Sequence, residues 1–186
     1  MNIKCVFGIS AVMYLFLGSV YAQPWQTEVP PDYDYIVKPG QQVPEFELEL
    51  PDGSATSIGD LRGKVVMLQF TASWCGVCRK EMPHIESEIW QKYKGNPGFA
   101  LYGIDLKEPA ATVTEFRRQT GVTYPIALDL EGAIFSRFAA PGAGVTRNVI
   151  IDRNGRIVFM TRLYKTEEFN QMKRVIGELL ADISGQ

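Results

Sequence analysis

The chain has few of the residues that build metal centres and no large excess of charge. Its 186 residues include a single histidine, His84, and three cysteines. A structural zinc site takes about four ligands, mostly cysteine and histidine. Cys5 lies in the N-terminal segment that we predict to be cleaved, which leaves two cysteines and one histidine, so the set is incomplete and we expect no bound metal. The 19 basic and 21 acidic residues give a net charge of −2. This balance does not favour nucleic acid or an anionic membrane as a partner.

The N-terminus carries a mostly apolar stretch that is too short to cross a membrane. It follows Lys4, runs from about Val6 to Val20 and stays below the roughly 20 residues that a spanning helix needs. Small residues then occupy the positions that direct cleavage in Val20-Tyr21-Ala22. We therefore predict a cleaved secretory signal at residues 1–22 and a periplasmic or otherwise extracytoplasmic location. An uncleaved N-terminus that tethers the protein to a membrane is the alternative.

Two closely spaced cysteines are the clearest chemical feature of the mature chain. Removing the signal takes Cys5 with it and leaves Cys75 and Cys78, in a compartment where disulfides persist. The two lie where an apolar run gives way to a helical pattern. A thiolate at a helix N-terminus faces unpaired N–H groups and the positive end of the helix dipole, which favour its charged, nucleophilic form. The spacing therefore indicates a dithiol redox site.

Strand and helix patterns alternate along the mature chain. Residues 65–70 and 99–104 are apolar runs typical of buried strands, and apolar residues recur at helical spacing between them, as far as about Tyr93. The other predicted elements are an edge hairpin near 45–53, a helix from Pro109 to Gly121, a strand at 124–128, a short helix at 133–138, a hairpin over 148–161 and a helix from Thr166 to Ile183. This order predicts an α/β sandwich around a mixed sheet, with the cysteines at the carboxyl end of a strand.

The first part of the mature chain has a different composition from the rest. Residues 23–39 are rich in Pro, Tyr and Asp without a clear period, so we predict a flexible leader or an extension that lies on the surface. Residues 40–186 are predicted to form one domain. We find no internal repeat and no low-complexity tract.

Three sequence blocks resemble the thioredoxin-fold thiol-disulfide oxidoreductases of the TlpA/ResA kind. They are Gly63-Lys-Val-Val-Met-Leu68, Phe70-Thr-Ala-Ser-Trp-Cys-Gly-Val-Cys-Arg-Lys-Glu-Met-Pro83 and Gly144-Val-Thr-Arg-Asn-Val-Ile-Ile-Asp-Arg-Asn-Gly155. The resemblance implies a thioredoxin-like three-layer sandwich, with a central mixed β-sheet flanked by helices. It implies an exported enzyme without a cofactor that exchanges, and in our interpretation reduces, disulfides in other proteins. We expect disulfide-containing or dithiol proteins as partners, a membrane or periplasmic electron donor, and a monomer.

The resemblance also assigns roles to individual residues. Cys75 would attack a substrate disulfide and Cys78 would resolve the mixed disulfide, so that together they form a redox-active disulfide. Trp74 would shield the sulfurs or offer a flat surface to substrates, with ordinary core packing as the alternative. Glu81 would assist proton transfer to or from Cys78, with a solvated glutamate on the helix face as the alternative. Pro83 would kink the helix. His84 we expect on the helix surface.

The sequence departs from the family pattern at several positions. Gln69 stands where thioredoxin itself has a buried aspartate, so proton handling must come from elsewhere. Thr146 stands where most of the family has a cis-proline. A non-proline cis bond costs about 2.5 to 4 kcal/mol, so the strand that faces Cys75 is either strained or trans and reshaped. We hypothesise that Arg147 compensates by placing a cation near the site.

Other interpretations of the two cysteines remain open at this point. A structural disulfide would close a loop of about four residues and remove only about 2 kcal/mol of unfolded-state entropy. Peroxidase chemistry uses threonine and arginine around the reactive cysteine, which Thr71 or Arg147 would have to supply in a different sequence context. The second candidate function is a redox-silent peptide-binding or chaperone-like module whose cysteines stay locked. The missing cis-proline motivates it.

Overall fold

The computed structural model describes residues 25–181. The predicted signal segment and Ile183 of the predicted final helix lie outside the described residues. Within this range the strands are β1 (Glu47–Glu49), β2 (Ala55–Ser57), β3 (Val65–Thr71), β4 (Phe99–Leu106), β5 (Ile126–Asp129), β6 (Arg147–Ile151) and β7 (Ile157–Arg162). They form one sheet of seven strands in the order β2-β1-β5-β4-β3-β6-β7.

The sheet is mixed, and β3 lies inside it. β3 pairs with β4 in parallel and with β6 antiparallel, and β4 pairs with β5 in parallel. All seven residues of β3 are buried. A strand that is covered on both faces needs apolar side chains on both, which is why residues 65–70 read as an almost unbroken apolar run.

Helices and turns cover both faces of this sheet. The α-helices among the described residues are α1 (Gly76–Ile85), α2 (Gln91–Tyr93), α3 (Ala110–Thr120) and α4 (Thr166–Ala181), with a π-helical segment (Glu86–Trp90) between α1 and α2. Short 3-10 helices lie at Pro31–Tyr33, Gly59–Leu61 and Phe135–Arg137. Side chains of α1, α3 and α4 pack on one face, around Met67 of β3. The N-terminal segment and the turn that carries Phe135 and Phe138 cover the other face, around Leu68. This architecture confirms the predicted α/β sandwich.

Most predicted elements lie within two residues of the observed ones. The hairpin predicted over 148–161 is β6 and β7, and the two apolar runs are β3 and β4. The helix predicted after the cysteines ends at Tyr93 as expected, although part of it has π geometry. None of the helices within residues 25–181 is both long and apolar enough to cross a membrane.

The described part of the predicted leader packs onto the domain. Tyr33 and Val37 are buried, and Tyr35 forms an isolated β-bridge with Ala139. The Tyr35 hydroxyl donates to the carbonyl of Thr161 at 2.8 Å. Our prediction of a flexible leader at 23–39 is therefore corrected for residues 25–39, and the alternative of an extension lying on the surface fits them. An irregular segment buries its aromatic side chains without a period that sequence patterns detect.

Arg147 connects the N-terminal segment, residues 25–39, to the face of the sheet that this segment covers. Its side chain is fully buried, and its guanidinium lies 4.6 Å from the centre of the Tyr35 ring. Arg147 Nε donates to the Gly144 carbonyl at 2.9 Å, and Nη1 donates to the Tyr33 carbonyl. Burial lowers the pKa of Arg147 from its ordinary value. The cation is thus held by carbonyl oxygens and an aromatic face rather than by water.

We expect Arg147→Ala to release the N-terminal segment. The change leaves two carbonyls without their donor and removes packing under Tyr35, so the free energy of unfolding should fall by about 2–4 kcal/mol. Urea denaturation measures this, and trypsin should cleave after Lys38 faster than in the unmodified protein. Arg156→Ala is the control, because the exposed Arg156 also donates to this segment, at the Gly40 carbonyl. An equal loss in both variants would contradict the anchoring role.

Candidate redox site

The end of β3 and the start of α1 place the two cysteines. Cys75 is the N-cap residue of α1, and its sulfur accepts a hydrogen bond from the Cys78 backbone N–H at 3.1 Å. The two sulfurs form a disulfide, with 5.3 Å between the Cα atoms. Cys75 is 7% exposed and Cys78 0%. Cys75, which is predicted to attack, is therefore the less buried of the two residues, and it lies at the positive end of the helix dipole.

Thr146 contacts both sulfurs of the disulfide. Its hydroxyl oxygen lies 3.1 Å from Cys75 Sγ and 3.3 Å from Cys78 Sγ. No cis peptide bond occurs among residues 25–181, so the bond before Thr146 is trans and the second of our two alternatives holds. The backbone N–H of Leu163 donates to the Thr146 carbonyl at 3.1 Å. At this position the chain supplies a hydroxyl group that a proline would not have.

Glu81 lies one turn after Cys78 on α1 and is buried. Its carboxylate accepts a hydrogen bond from Asn148 Nδ2 at 2.7 Å and a longer one from Gln69 Nε2 at 3.4 Å. Burial raises the pKa of Glu81 to about 7, against the lowering effect of these two amides. The alternative of a solvated glutamate is therefore wrong, because the helix turns this residue toward the sheet.

Gln69 and Asn148 belong to a polar row that crosses the core. They face each other on the paired strands β3 and β6. The Tyr124 hydroxyl donates to Gln69 Oε1 at 2.6 Å, and Asn148 Nδ2 also donates to Thr161 Oγ1 at 3.0 Å. Our sequence reasoning missed Asn148, Tyr124 and Thr161. The sequence signal for this row is a polar residue in an otherwise apolar strand. Gln69 lies within β3, and Asn148 lies near the start of β6.

The remaining predicted site residues are Trp74, Pro83 and His84, which lie next to Cys75 or on α1. Trp74 is 65% exposed, so core packing is wrong and an aromatic surface borders Cys75. Pro83 lies inside α1, and the helix changes to π geometry at Glu86, three residues later. A proline has no N–H to continue the helical hydrogen bonds. His84 lies on the helix surface as predicted, with Nδ1 3.1 Å from Glu88 Oε1.

The side chains of Thr146 and Arg147 have different surroundings. The hydroxyl of Thr146, the residue just before β6, reaches the sulfurs, while the guanidinium of Arg147 reaches Gly144 and the N-terminal segment. The idea that Arg147 influences Cys75 stays a prediction. The guanidinium contacts the Gly144 and Tyr33 carbonyls and lies over the rings of Tyr35 and Phe135.

A central mixed sheet with two cysteines at a helix N-terminus defines the thioredoxin-fold class, and the described residues have both features. Comparison with known proteins agrees with this class. The family model for Redoxin matches residues 38–176, and the chain belongs to that family.

Relatives of known name are thiol-disulfide oxidoreductases. ResA of Bacillus anthracis is 32% identical over 120 residues, which are 64% of this chain and 66% of that protein. The match thus spans just under two thirds of that relative. A Bacteroides thetaiotaomicron protein provisionally named a protein disulfide isomerase has a solution structure that is 55% identical, with a TM-score of 0.78, covering 81% of this chain and 94% of that one. The chain is also similar to the thioredoxin domain of a Bacteroides vulgatus thiol-disulfide oxidoreductase, with 20% identity and a TM-score of 0.64. This match covers 75% of this chain and 99% of that domain, and at this identity it shows the fold alone.

We expect Thr146→Val to make the Cys75 thiol harder to ionise. Valine keeps the shape but removes the hydroxyl that can donate to a thiolate, and such a bond to a charged group contributes about 1.5–3 kcal/mol. The pH midpoint of iodoacetamide labelling in the reduced protein should rise by about one unit. Thr71→Val is the control, because the buried Thr71 hydroxyl contacts Met82 and not a cysteine. An unchanged midpoint in Thr146→Val would show that the hydroxyl does not act on the thiolate.

Proposed function

We propose that this protein is an exported thiol-disulfide oxidoreductase that exchanges, and mainly reduces, disulfides in extracytoplasmic proteins. The observation that carries the proposal is a disulfide in which the less buried cysteine, Cys75, caps a helix N-terminus while Cys78 lies fully buried in the first turn. The exposed ring of Trp74 beside Cys75 supports contact with a second protein. Family membership and the names of the relatives point to the same chemistry.

The reduction proceeds in two exchanges. The Cys75 thiolate attacks one sulfur of the substrate disulfide, which breaks the substrate S–S bond and forms a mixed disulfide; the released substrate thiolate takes up a proton. Cys78 then loses its proton and attacks the Cys75 sulfur, which releases the second substrate thiolate and forms the Cys75–Cys78 disulfide. The substrate gains two electrons and the protein loses two. A dithiol donor, which we place in the membrane or periplasm, reduces the pair again.

Glu81 is the group best placed to accept the proton of Cys78. Both side chains are buried, and they lie one turn apart on α1. A base functions well when its pKa is near the working pH, and burial brings the pKa of Glu81 to about 7. The amide of Asn148 holds the carboxylate in place. Proton transfer thus has a local acceptor although the aspartate of thioredoxin is missing.

We expect Glu81→Gln to slow the Cys78 step by about tenfold or more at pH 7, because a glutamine cannot accept the proton. With the native residue, the rate should rise as pH increases through about 7, where Glu81 becomes ionised. The variant should lose this rise. Stopped-flow resolution of a preformed mixed disulfide, measured from pH 5 to 9, gives the profile. The control is Glu88→Gln, since Glu88 lies on the surface of the same helical region. Identical profiles for all three proteins would exclude Glu81 as the base.

We expect the Cys75→Ser variant to lose insulin reduction with dithiothreitol as donor. The Cys78→Ser variant should still attack but accumulate a mixed disulfide, which non-reducing electrophoresis detects. Equal insulin turbidity rates for native protein and Cys75→Ser would instead favour the second candidate, a redox-silent peptide-binding module. Equilibration with defined glutathione ratios then assigns the direction, because a low reduction potential supports reduction and a high one supports oxidation.

Export is part of the same proposal. The sequence of residues 1–22 supports a secretory signal. We further propose that the protein acts as a monomer on disulfide-containing or dithiol clients.

A further inference from the structure

The hydroxyl of Tyr124 is a buried donor that the mechanism above does not use. Tyr124 is fully buried and lies two residues before β5. Its hydroxyl lies 2.6 Å from Gln69 Oε1, and no other acceptor among residues 25–181 is within hydrogen-bond distance of it. Burial raises the pKa of Tyr124 well above its ordinary value, so the hydroxyl keeps its proton. A buried O–H without an acceptor is costly, so the contact with Gln69 is one that this tyrosine needs.

The side-chain amide of Gln69 lies between Tyr124 and Glu81. Gln69 Nε2 lies 3.4 Å from Glu81 Oε2, at the opposite end of the amide from the oxygen that accepts from Tyr124. A primary amide has an acceptor at one end and two donors at the other, so a half-turn exchanges what it offers to each neighbour. The group that Gln69 presents to Glu81 therefore depends on what Tyr124 requires.

The Tyr124 hydroxyl selects one of these two orientations of the amide. In the observed orientation Oε1 accepts from the hydroxyl and Nε2 donates to the carboxylate of Glu81. In the turned orientation Nε2 would face the tyrosine oxygen, and the tyrosine O–H would lose its acceptor. Oε1 of Gln69 would then face Glu81, where only a protonated carboxyl can donate to it. The observed orientation thus suits ionised Glu81, and the turned orientation suits the protonated form.

The other amide that contacts Glu81 has no such neighbour to orient it. Asn148 Nδ2 donates to Glu81 Oε1 at 2.7 Å and to Thr161 Oγ1 at 3.0 Å, which uses both of its N–H groups. Asn148 Oδ1 has no partner within the described part of the chain. Turning this amide over would place two donors, rather than one acceptor, where there is no partner. Gln69 is therefore the amide whose orientation a third side chain decides.

The titratable groups that face Glu81 leave this balance to the amides. Tyr35, Tyr124 and Tyr164 are the phenols whose charge would act on Glu81, and burial raises the pKa of each, so all three stay neutral. Cys78 precedes Glu81 by one turn of α1. The charged side chains of the surrounding elements have other partners: Arg147 bonds to the Tyr33 carbonyl, His84 and Lys173 to Glu88, Glu86 to Thr123, and Lys165 to Glu168.

We propose that Tyr124 is a positioning residue for Glu81: it holds the Gln69 amide with its N–H toward the carboxyl and so favours ionised Glu81, the form that accepts the proton of Cys78. The last clause rests on the proposed function, whereas the orientation of the amide does not. The step moves one proton and no electron, since the S–H bond of Cys78 breaks and an O–H bond forms on Glu81. When a dithiol donor reduces the pair again, Glu81 returns the proton to Cys78.

The first test follows the Glu81 carboxyl by carbon-detected NMR from pH 4 to 10, in the whole mature protein in its oxidised state. We expect Tyr124→Phe to raise the titration midpoint of Glu81 by about half a unit to one unit, because the amide can then turn and accept from the protonated carboxyl. The control is Tyr102→Phe, since the Tyr102 ring packs on the face of the sheet around Leu68. It should keep the native midpoint. An unchanged midpoint in Tyr124→Phe overturns the proposal.

A double-mutant cycle tests whether Tyr124 acts through Gln69. Gln69→Leu alone removes the N–H that donates to the carboxylate, so the midpoint of Glu81 should rise by about half a unit or more. Adding Tyr124→Phe to Gln69→Leu should produce no further shift, because no amide is left to orient. The same shift in both backgrounds would show that Tyr124 acts on Glu81 without the amide, and this result also overturns the positioning role.

Resolution of a preformed mixed disulfide separates this proposal from the proposed function. In Tyr124→Phe the rate of the Cys78 step should rise at a higher pH than in the native protein, by the same amount as the NMR midpoint. The expected NMR shifts with an unchanged rate profile would reject Glu81 as the acceptor of the Cys78 proton and leave the orientation of the amide in place. Normal insulin reduction without any NMR shift in Tyr124→Phe would reject the positioning role and leave the proposed function standing.

Discussion

The hydrogen bond from the Cys78 amide to the Cys75 sulfur is the contact on which the redox site depends. It exists because β3 ends where α1 begins, so the first sulfur occupies the cap of a helix whose own N–H groups lack partners. The same geometry places Cys78 inside the first turn and buries it. One local feature thus gives the two cysteines different exposure and different chemistry.

Polar groups inside the core lie next to this site. Burying Gln69, Asn148 and Glu81 between β3, β6 and α1 is costly unless they bond to one another, and they do so in one row that continues to Tyr124. Within that row Glu81 is held by amides, which are neutral partners. A cationic partner would lower the pKa of the carboxyl, whereas amides leave the desolvation effect dominant and the pKa at about 7.

Sequence patterns predicted those strands and helices whose apolar residues are continuous or recur at a regular spacing. The apolar runs located β3 and β4, and helical spacing located the helix to Tyr93. The same helical spacing was sufficient to predict that Glu81 is buried, because Glu81 lies between Cys78 and Met82 on the inward face of α1. The apolar residues of the N-terminal segment do not recur at a regular spacing, so sequence patterns could not predict its packing on Arg147. The burial of Asp105 opposite Thr71 depends on the register of β3 and β4, which no local pattern encodes.

The two unusual acids lie on opposite sides of β3. Glu81 approaches from the side of β6, where its partner is Asn148, and Asp105 lies on β4. Reduction of a disulfide takes up two electrons and as many as two protons, so a site buried from water gains from having acids of its own. Glu81 follows Cys78 by one turn of α1, whereas Glu108 accepts two hydrogen bonds from Ser73, in the turn before Cys75. The Thr146 hydroxyl is the polar group in direct contact with both sulfurs, so the buried acids act on the pair through the elements that carry it.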